Sequence, residues 1–287
     1  MKIACWTLIA LLWFGGNAPA RGIKTSNASL VETFTKYFND LRHALLKKDA
    51  ATIARLHDYE QYVDALEQAG LLPASYLQHR KEFTAFIQQE KSQAMARASS
   101  FAVWNEHHVR HVDTEPGSDK AIVSVRFVLS NGVVEKQRWW FVLKEGAWRA
   151  YDVEDMTIGI RDSTGYGISV RAGQNPEMKR AMEQIETSIL QAQQGNHRKT
   201  LAILQTVPEA PLPREYRFLR YFFMGMSHLL LDEFEKARTC MKQAHDLYPE
   251  KPIVHFGLSR VHNYLGRHEQ ALHHARKNLE IMGGDPD

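Results

Sequence analysis

"AIVSVRFVLSNGVVEKQRWWFVLKEGAWRAYDVED", residues 121–155, alternates apolar and polar side chains and breaks twice at glycine. A period of two with such breaks reads as three β-strands joined by tight turns. The turns fix the pairing. A two-residue loop at Glu145-Gly146 sets Lys144 against Ala147, so Leu143, Phe141 and Trp139 face Trp148, Ala150 and Asp152. At the first turn a two-residue Asn131-Gly132 loop would oppose Phe127 to Lys136 and Val125 to Arg138. A three-residue loop with Gly132 in the left-handed position instead pairs Leu129 with Val133 and Val123 with Trp139. Phe127 then meets Glu135, a mismatch, but the apolar match elsewhere selects this register, because a one-residue slip turns over every side chain. The result is one strongly apolar face: Val123, Val125, Phe127, Leu129, Trp139, Phe141, Leu143 and Trp148.

Three helical stretches precede the strands. Leu30, Phe34, Tyr37, Phe38, Leu41 and Leu45 share one face over 30–49. Ile53, Leu56 and Leu66 mark a second stretch over about 50–69, which "GLLP" at 70–73 ends; Tyr76, Leu77, Phe83, Phe86 and Ile87 mark a third over about 75–97. Helices followed by an antiparallel sheet they can cover define an α+β domain, placed at 21–168. Helices and then a curled sheet ending in Trp148-x-x-x-Asp152, over roughly 29–160, resemble the nuclear transport factor 2-like, cone-shaped family. That resemblance implies an enclosed interior, where Trp139, Phe141 and Trp148 would line an apolar pocket and hold a small apolar molecule. Asp152, placed by the register on the apolar face, must be paired, hydrogen-bonded or shifted in pKa. It is the one candidate acid/base group of an enzyme reading, whereas Glu154 and Asp155 at the strand's end are expected in solvent.

After the Gly/Asn/Pro-punctuated stretch "GISVRAGQNPEMKR", read as a linker at 169–180, helical periodicity returns over 181–287. "GNHRKT" at 195, "DEFEKA" at 232 and "GRHEQA" at 266 align, and Ala237 and Ala271 stand 34 positions apart. Tyr221, Met224-Gly225, His228, Ala237-x3-Met241, Ala244 and Pro249 form one unit. His255, Leu258-Ser259, His262 and Ala271-x3-Ala275 form a second, and Thr200-x3-Leu204 belongs to a degenerate first. This pattern resembles the tetratricopeptide-repeat (TPR) family. The resemblance implies an all-α array of stacked helix pairs whose concave side takes proteins and peptides. Its lining would be Leu219, Phe222, Met226 and Leu229, then Ile253, Phe256, Arg260 and Asn263, with Tyr221 filling the space between helices.

The remaining features narrow the class. Lys2, an apolar run from Ile3 to Phe14 and the ending Ala18-Pro19-Ala20 have the order of a secretory signal peptide, with the mature chain starting at Arg21. The run is short of the about 20 residues a membrane span needs, so no stable membrane insertion is expected. Removal of the leader leaves Cys240 as the single cysteine, which excludes an internal disulfide. A formal net charge of +3 and the lack of a Lys/Arg run argue against a nucleic-acid partner. "HHVRH" at 107–111 would place His107 and His111 on one strand face but about 13 Å apart, and "HEQALH" at 268–273 has one residue too many for a zinc helix. No metal or other cofactor is expected. The sequence thus reads as an exported, periplasmic or secreted, non-enzymatic adaptor that binds a partner protein or peptide, its oligomeric state left open. A carrier of a small apolar ligand is the alternative, and an enzyme using Asp152 the weakest.

Overall fold

The computed structural model describes residues 28–97, 103–115, 117–130, 132–156 and 158–282. The leader read at 1–20 and the start at Arg21 lie outside these residues. Among the described residues five helices come first: α1 Ala28–Leu46, α2 Ala50–Leu56, α3 Tyr59–Gln68, α4 Ala74–Gln78 and α5 Arg80–Ala96. Five strands follow, β1 Trp104–Asp113, β2 Lys120–Leu129, β3 Val134–Lys144, β4 Ala147–Asp155 and β5 Ile160–Arg161. Then come α6 Asp162–Gly173, α7 Pro176–Gln193, α8 His197–Thr206, α9 Arg214–Leu229, α10 Phe234–Leu247, α11 Pro252–Tyr264 and α12 His268–Ile281. The sheet therefore lies mid-chain, with helices on both sides of it in sequence. Two compact units divide between Arg171 and Ala172. No described helix is long and apolar enough to cross a membrane.

The first unit is α+β, an antiparallel sheet in the order β1-β2-β3-β4-β5 with helices packed on it. Val123 pairs with Trp139 and Phe127 with Glu135, the three-residue-loop register, and Gly132 takes φ 81°. Glu145 and Gly146 both have positive φ, 53° and 76°, as a two-residue I′ turn requires, and Lys144 meets Ala147. Two corrections follow from bulges. In β4 the ladder steps from Ala150 opposite Phe141 to Asp152 opposite Trp140, so Tyr151 is the extra residue. Asp152 thus leaves the Trp139 face on which an uninterrupted register had put it. In β1 a step between Val109 and His111 turns His111 outward to solvent, while His107 stays half-buried against Phe38, 5.8 Å between ring centres. The two histidines do not share a face.

The core of this unit is aromatic. Phe34, Phe38 and Leu41 of α1 meet Val123, Phe127 and Phe141 of the sheet, all at most 1% exposed. Leu143, expected on the same face, is 38% exposed near the end of β3. Asp58 begins α3 by accepting from the Gln61 amide at 2.9 Å, and its carboxylate also pairs with Lys144 at 2.7 Å, tying the helix start to the hairpin end.

The stretch read as a linker at 169–180 is almost wholly helical, with only Gln174 and Asn175 between α6 and α7. Gly173, Asn175 and Pro176 punctuate two helices rather than a flexible connection. Asn175 accepts from the amides of Glu177 and Met178 at 3.1 and 3.0 Å, and Pro176 occupies the first turn, where its missing N–H costs nothing.

The second unit is a series of three helix pairs, α7/α8, α9/α10 and α11/α12. The three aligned segments begin at one structural point in each pair: Gly195, Asp232 and Gly266 all have left-handed φ, of 78°, 59° and 72°. Each turn closes by the same bond: the amides of Asn196, Glu233 and Arg267 donate to the carbonyls of Gln191, His228 and His262, each at 2.9 Å. That six-to-one bond is a Schellman closure, which needs the left-handed residue just before it. Met241 of α10 nests between Gly225 of α9 and Gly257 of α11; a Cβ on either glycine would come within 2.9 or 2.7 Å of the Met241 side chain. Tyr216 of α9 donates to Glu186 of α7 at 2.9 Å, joining the first two pairs, and Tyr248 at the end of α10 donates to Glu215 of α9 at 2.8 Å, closing the second pair on itself.

Candidate functional site

The residues expected to line a groove on the helical unit divide by depth. Leu219, Phe222 and Leu229 of α9 are buried, at 1%, 5% and 3% exposure. Met226 of α9 and Ile253, Phe256 and Arg260 of α11 are half-buried, and Asn263 is exposed. The Arg260 guanidinium stands 5.8 Å from the centre of the Phe256 ring, one helical turn away, so cation and aromatic face form a single amphipathic feature.

Tyr221, expected between the helices, is half-buried at the surface and donates to Glu209 at 2.9 Å. Its neighbour Phe222 fills the interior, stacked on Phe218 with ring centres 6.2 Å apart. The helix is turned by one residue from expectation. Gly225 must face α10 for Met241 to nest against it, and Phe218 and Phe222 lie on the same stripe, seven and three residues earlier.

In the first unit Trp139, Phe141 and Trp148 do come together, on the inner side of the sheet. The rings of α1 occupy the space over them. Phe34 lies 4.7 Å from Phe141 and 5.4 Å from Trp148, and Phe38 lies 5.3 Å from Trp139. Tilted and edge-to-face contacts at these distances are those of packed aromatic core.

Asp152 does not join them. At 4% exposure its carboxylate accepts from the Ser163 hydroxyl at 2.7 Å, the Ser163 amide at 3.1 Å and the Val153 amide at 3.0 Å. Ser163 is in the first turn of α6, so Asp152 supplies that helix start with an acceptor and fastens it to β4. Burial pushes its pKa up to about 6 against the lowering effect of these bonds. Beside it, Lys91 of α5 pairs with Asp162 and stands 4.6 Å from the Tyr62 ring centre and 5.2 Å from that of Tyr166. These contacts clamp α3, α5 and α6 together.

A second perturbed carboxyl, Glu135, shows in the sequence only as the mismatch with Phe127. Along the inner face of β3, Trp139 donates its indole N–H to Gln137 at 3.0 Å, and Gln137 donates to Glu135 at 3.1 Å. Burial, and then the charge of Asp155 across the ladder, raise Glu135 to about 7. His57 packs 6.3 Å from Trp139 and 5.9 Å from Tyr59, measured between ring centres. Its Nδ1 lies 2.8 Å from the Ile53 carbonyl, which can only accept and so fixes an N–H at that nitrogen. Burial lowers its pKa, so the ring is neutral. Four strand residues, about 13 Å, separate Glu135 from Trp139, beside which His57 sits, so acid and imidazole do not converge on one reacting atom. Among the described residues no three His, Cys, Asp or Glu side chains gather to hold a metal ion.

No protein-family model matches the chain, and no curated protein matches it significantly.

Proposed function

We propose that the protein is an exported adaptor that captures a partner protein or peptide through its three helix pairs. The observation that carries this reading is the repeat itself: three pairs with the same left-handed, six-to-one turn, the second and third of which share Met241 as a knob between them. Arrays of this kind present an extended surface built from one helix of each pair, in keeping with the resemblance of 181–287 to tetratricopeptide repeats. Ile253, Phe256, Arg260 and Asn263 on α11, with Met226 on α9, are the accessible members of the expected lining, and the last three on α11 supply an apolar ring, a cation and an amide. Buried Leu219, Phe222 and Leu229 support this surface from beneath. Export rests on the leader-like residues 1–20.

The test uses the full chain as bait against the exported fraction of its own organism, followed by binding measurements with the captured protein. Arg260→Ala and Phe256→Ala are expected to weaken capture at least about tenfold while the helical signal is kept. Equal capture by both variants and the parent removes α11 from the binding surface and, with it, this reading. N-terminal sequencing of the exported form checks the leader, and a start other than Arg21 corrects the cleavage site.

A further inference from the structure

The last two helices and the end of α10 gather five histidines that no part of the proposed binding surface uses. His255 of α11 and His274 of α12 face each other with their Nδ1 atoms 3.0 Å apart. The Nε2 of His255 lies 2.8 Å from the Pro249 carbonyl, so that nitrogen carries the proton and the Nδ1 of neutral His255 is bare. The contact is therefore a single hydrogen bond, with His274 donating from Nδ1 and His255 accepting.

The His262 ring is parallel to that of His274, with ring centres 5.6 Å apart and an angle of 4°, and its Nδ1 is buried with no hydrogen-bond partner. His245 of α10 lies 5.3 Å from His255 and 6.1 Å from His274, and His273 lies 5.3 Å from His274. The charged groups facing this cluster are largely positive. Lys277 of α12 faces His255, and Arg238 and Arg267 face His262. The acids nearby are already engaged: Glu235 accepts from Arg238 and Arg267, each at 2.8 Å, and Asp246, 3.9 Å from His245, pairs with Lys242 at 3.1 Å.

We propose that this histidine cluster is a proton-operated latch that holds α12 on α11 while its imidazoles are neutral and frees α12 at mildly acidic pH. The Nδ1–Nδ1 bond has room for one proton. A second, on His255, sets N–H against N–H and breaks it. A charge on either member of the His262–His274 stack meets further rings and cations with no free carboxylate to neutralise it. Burial, followed by the neighbouring histidines, lowers His274 to about 4, and burial likewise lowers His255 and His262. The sign follows directly. These groups bind protons more readily once unfolded, so the closed state is fully favoured above an ordinary histidine pKa of about 6.5 and loses stability as pH falls from there toward 4.

Hydrogen exchange of the full chain at about pH 7.5 and about pH 5, corrected for intrinsic rates, tests the latch. Protection of α12 is expected to fall at least about tenfold relative to α8 on acidification, and His274→Phe is expected to flatten that difference. Should His274→Phe fail to fold, NMR titration of the wild-type imidazoles replaces it, with His274 expected to titrate well below 6.5. Unchanged α12 protection, or a His274 midpoint at or above 6.5, overturns the latch. Stoichiometric Zn²⁺ binding at neutral pH that protects α12 would also overturn it, in favour of a metal site.

Discussion

The two units bury titratable groups of opposite kind. The α+β unit holds two carboxyls whose pKa values rise on burial, Asp152 to about 6 and Glu135 to about 7. The helical unit holds imidazoles whose values fall, His274 to about 4 with His255, His262 and His197 in the same direction. A carboxyl raised in the folded state contributes stability that is present below its unfolded pKa and lost as pH rises through the folded one. A lowered imidazole does the reverse, losing stability as pH falls below about 6.5. His57 and His107 in the first unit also fall, and so offset its carboxyls. Mild acid therefore acts on the helical unit with one sign and on the α+β unit with two that partly cancel. The difference comes from sequence placement. The first unit puts its acids on strands against rings, and the second puts its histidines on helix faces that meet.

The largest effect that can sharpen this comparison is truncation of the aromatic core in each unit. Phe222→Ala and Phe38→Ala should each cost about 3–5 kcal/mol, measured by denaturant unfolding. Tyr221→Ala should cost far less, because that ring is half-buried at the surface. If Tyr221→Ala proved the more damaging of the neighbouring pair, the rotation assigned to α9 would be wrong.

Next in size is the buried carboxylate. Asp152→Ala leaves the Ser163 hydroxyl and amide without their acceptor and should cost about 1–3 kcal/mol. Asp152→Asn keeps the shape and removes the titration. Its cost should be greater near pH 4.5 than near pH 8, since wild-type Asp152 favours folding below about 6. A cost that grew with pH instead would mean that Asp152 is ionised in the fold and that its three donors outweigh its burial.

How much of this was legible beforehand follows from what each signal depends on. The β2–β3 register was readable, because Gly132 and the apolar match leave one good answer, and the Glu145-Gly146 turn was readable for the same reason. The displacement of Asp152 was not. A bulge at Tyr151 changes no residue type and no spacing that periodicity can detect, yet it moves every later side chain of β4 to the other face. Glu135 leaves a trace, as the acid opposite Phe127, but pattern alone gives that mismatch the look of an imperfect register and says nothing of a perturbed group. In the second unit the segments at 195, 232 and 266 marked the turns, because a left-handed residue recurs there. The rotation of α9 is not legible in sequence, because Tyr221 and Phe222 are adjacent aromatics and only Met241, on another helix, decides between them. His255 and His274 met across helices 19 residues apart, a relation that a search for local metal spacing in "HEQALH" passes over.

A smaller effect separates close packing from mere helix composition. Gly225→Ala places a Cβ 2.9 Å from Met241, with a further Met241 atom at 3.0 Å, and should cost about 1–3 kcal/mol through overpacking. Gly165→Ala, within α6 and with nothing inside 4 Å, should be neutral or stabilise by up to about 1 kcal/mol, as alanine usually does in place of a helical glycine. The pair separates glycine needed for approach from glycine merely tolerated. Rescue of Gly225→Ala by a smaller residue at 241 would assign the cost to the Met241 nest.

The smallest expected effect concerns the junction of the units. A flexible connection over 169–180 would be cut readily at many points by a broad protease, since exposed irregular backbone is the usual site of nicking. Here α6 runs to Gly173 and α7 starts at Pro176, so regular structure covers most of that span and Asn175 caps the second helix at once. Limited proteolysis of the native chain should therefore cut slowly, and where it cuts, at Gln174 and Asn175. Asn175→Ala removes the acceptor that holds the amides of Glu177 and Met178, which should fray the start of α7 by about 1 kcal/mol and speed cleavage there by several-fold. Rapid cutting of the parent chain throughout 169–172 would show that the end of α6 opens on its own, and the two units would then be joined by the linker that glycine and proline first suggested.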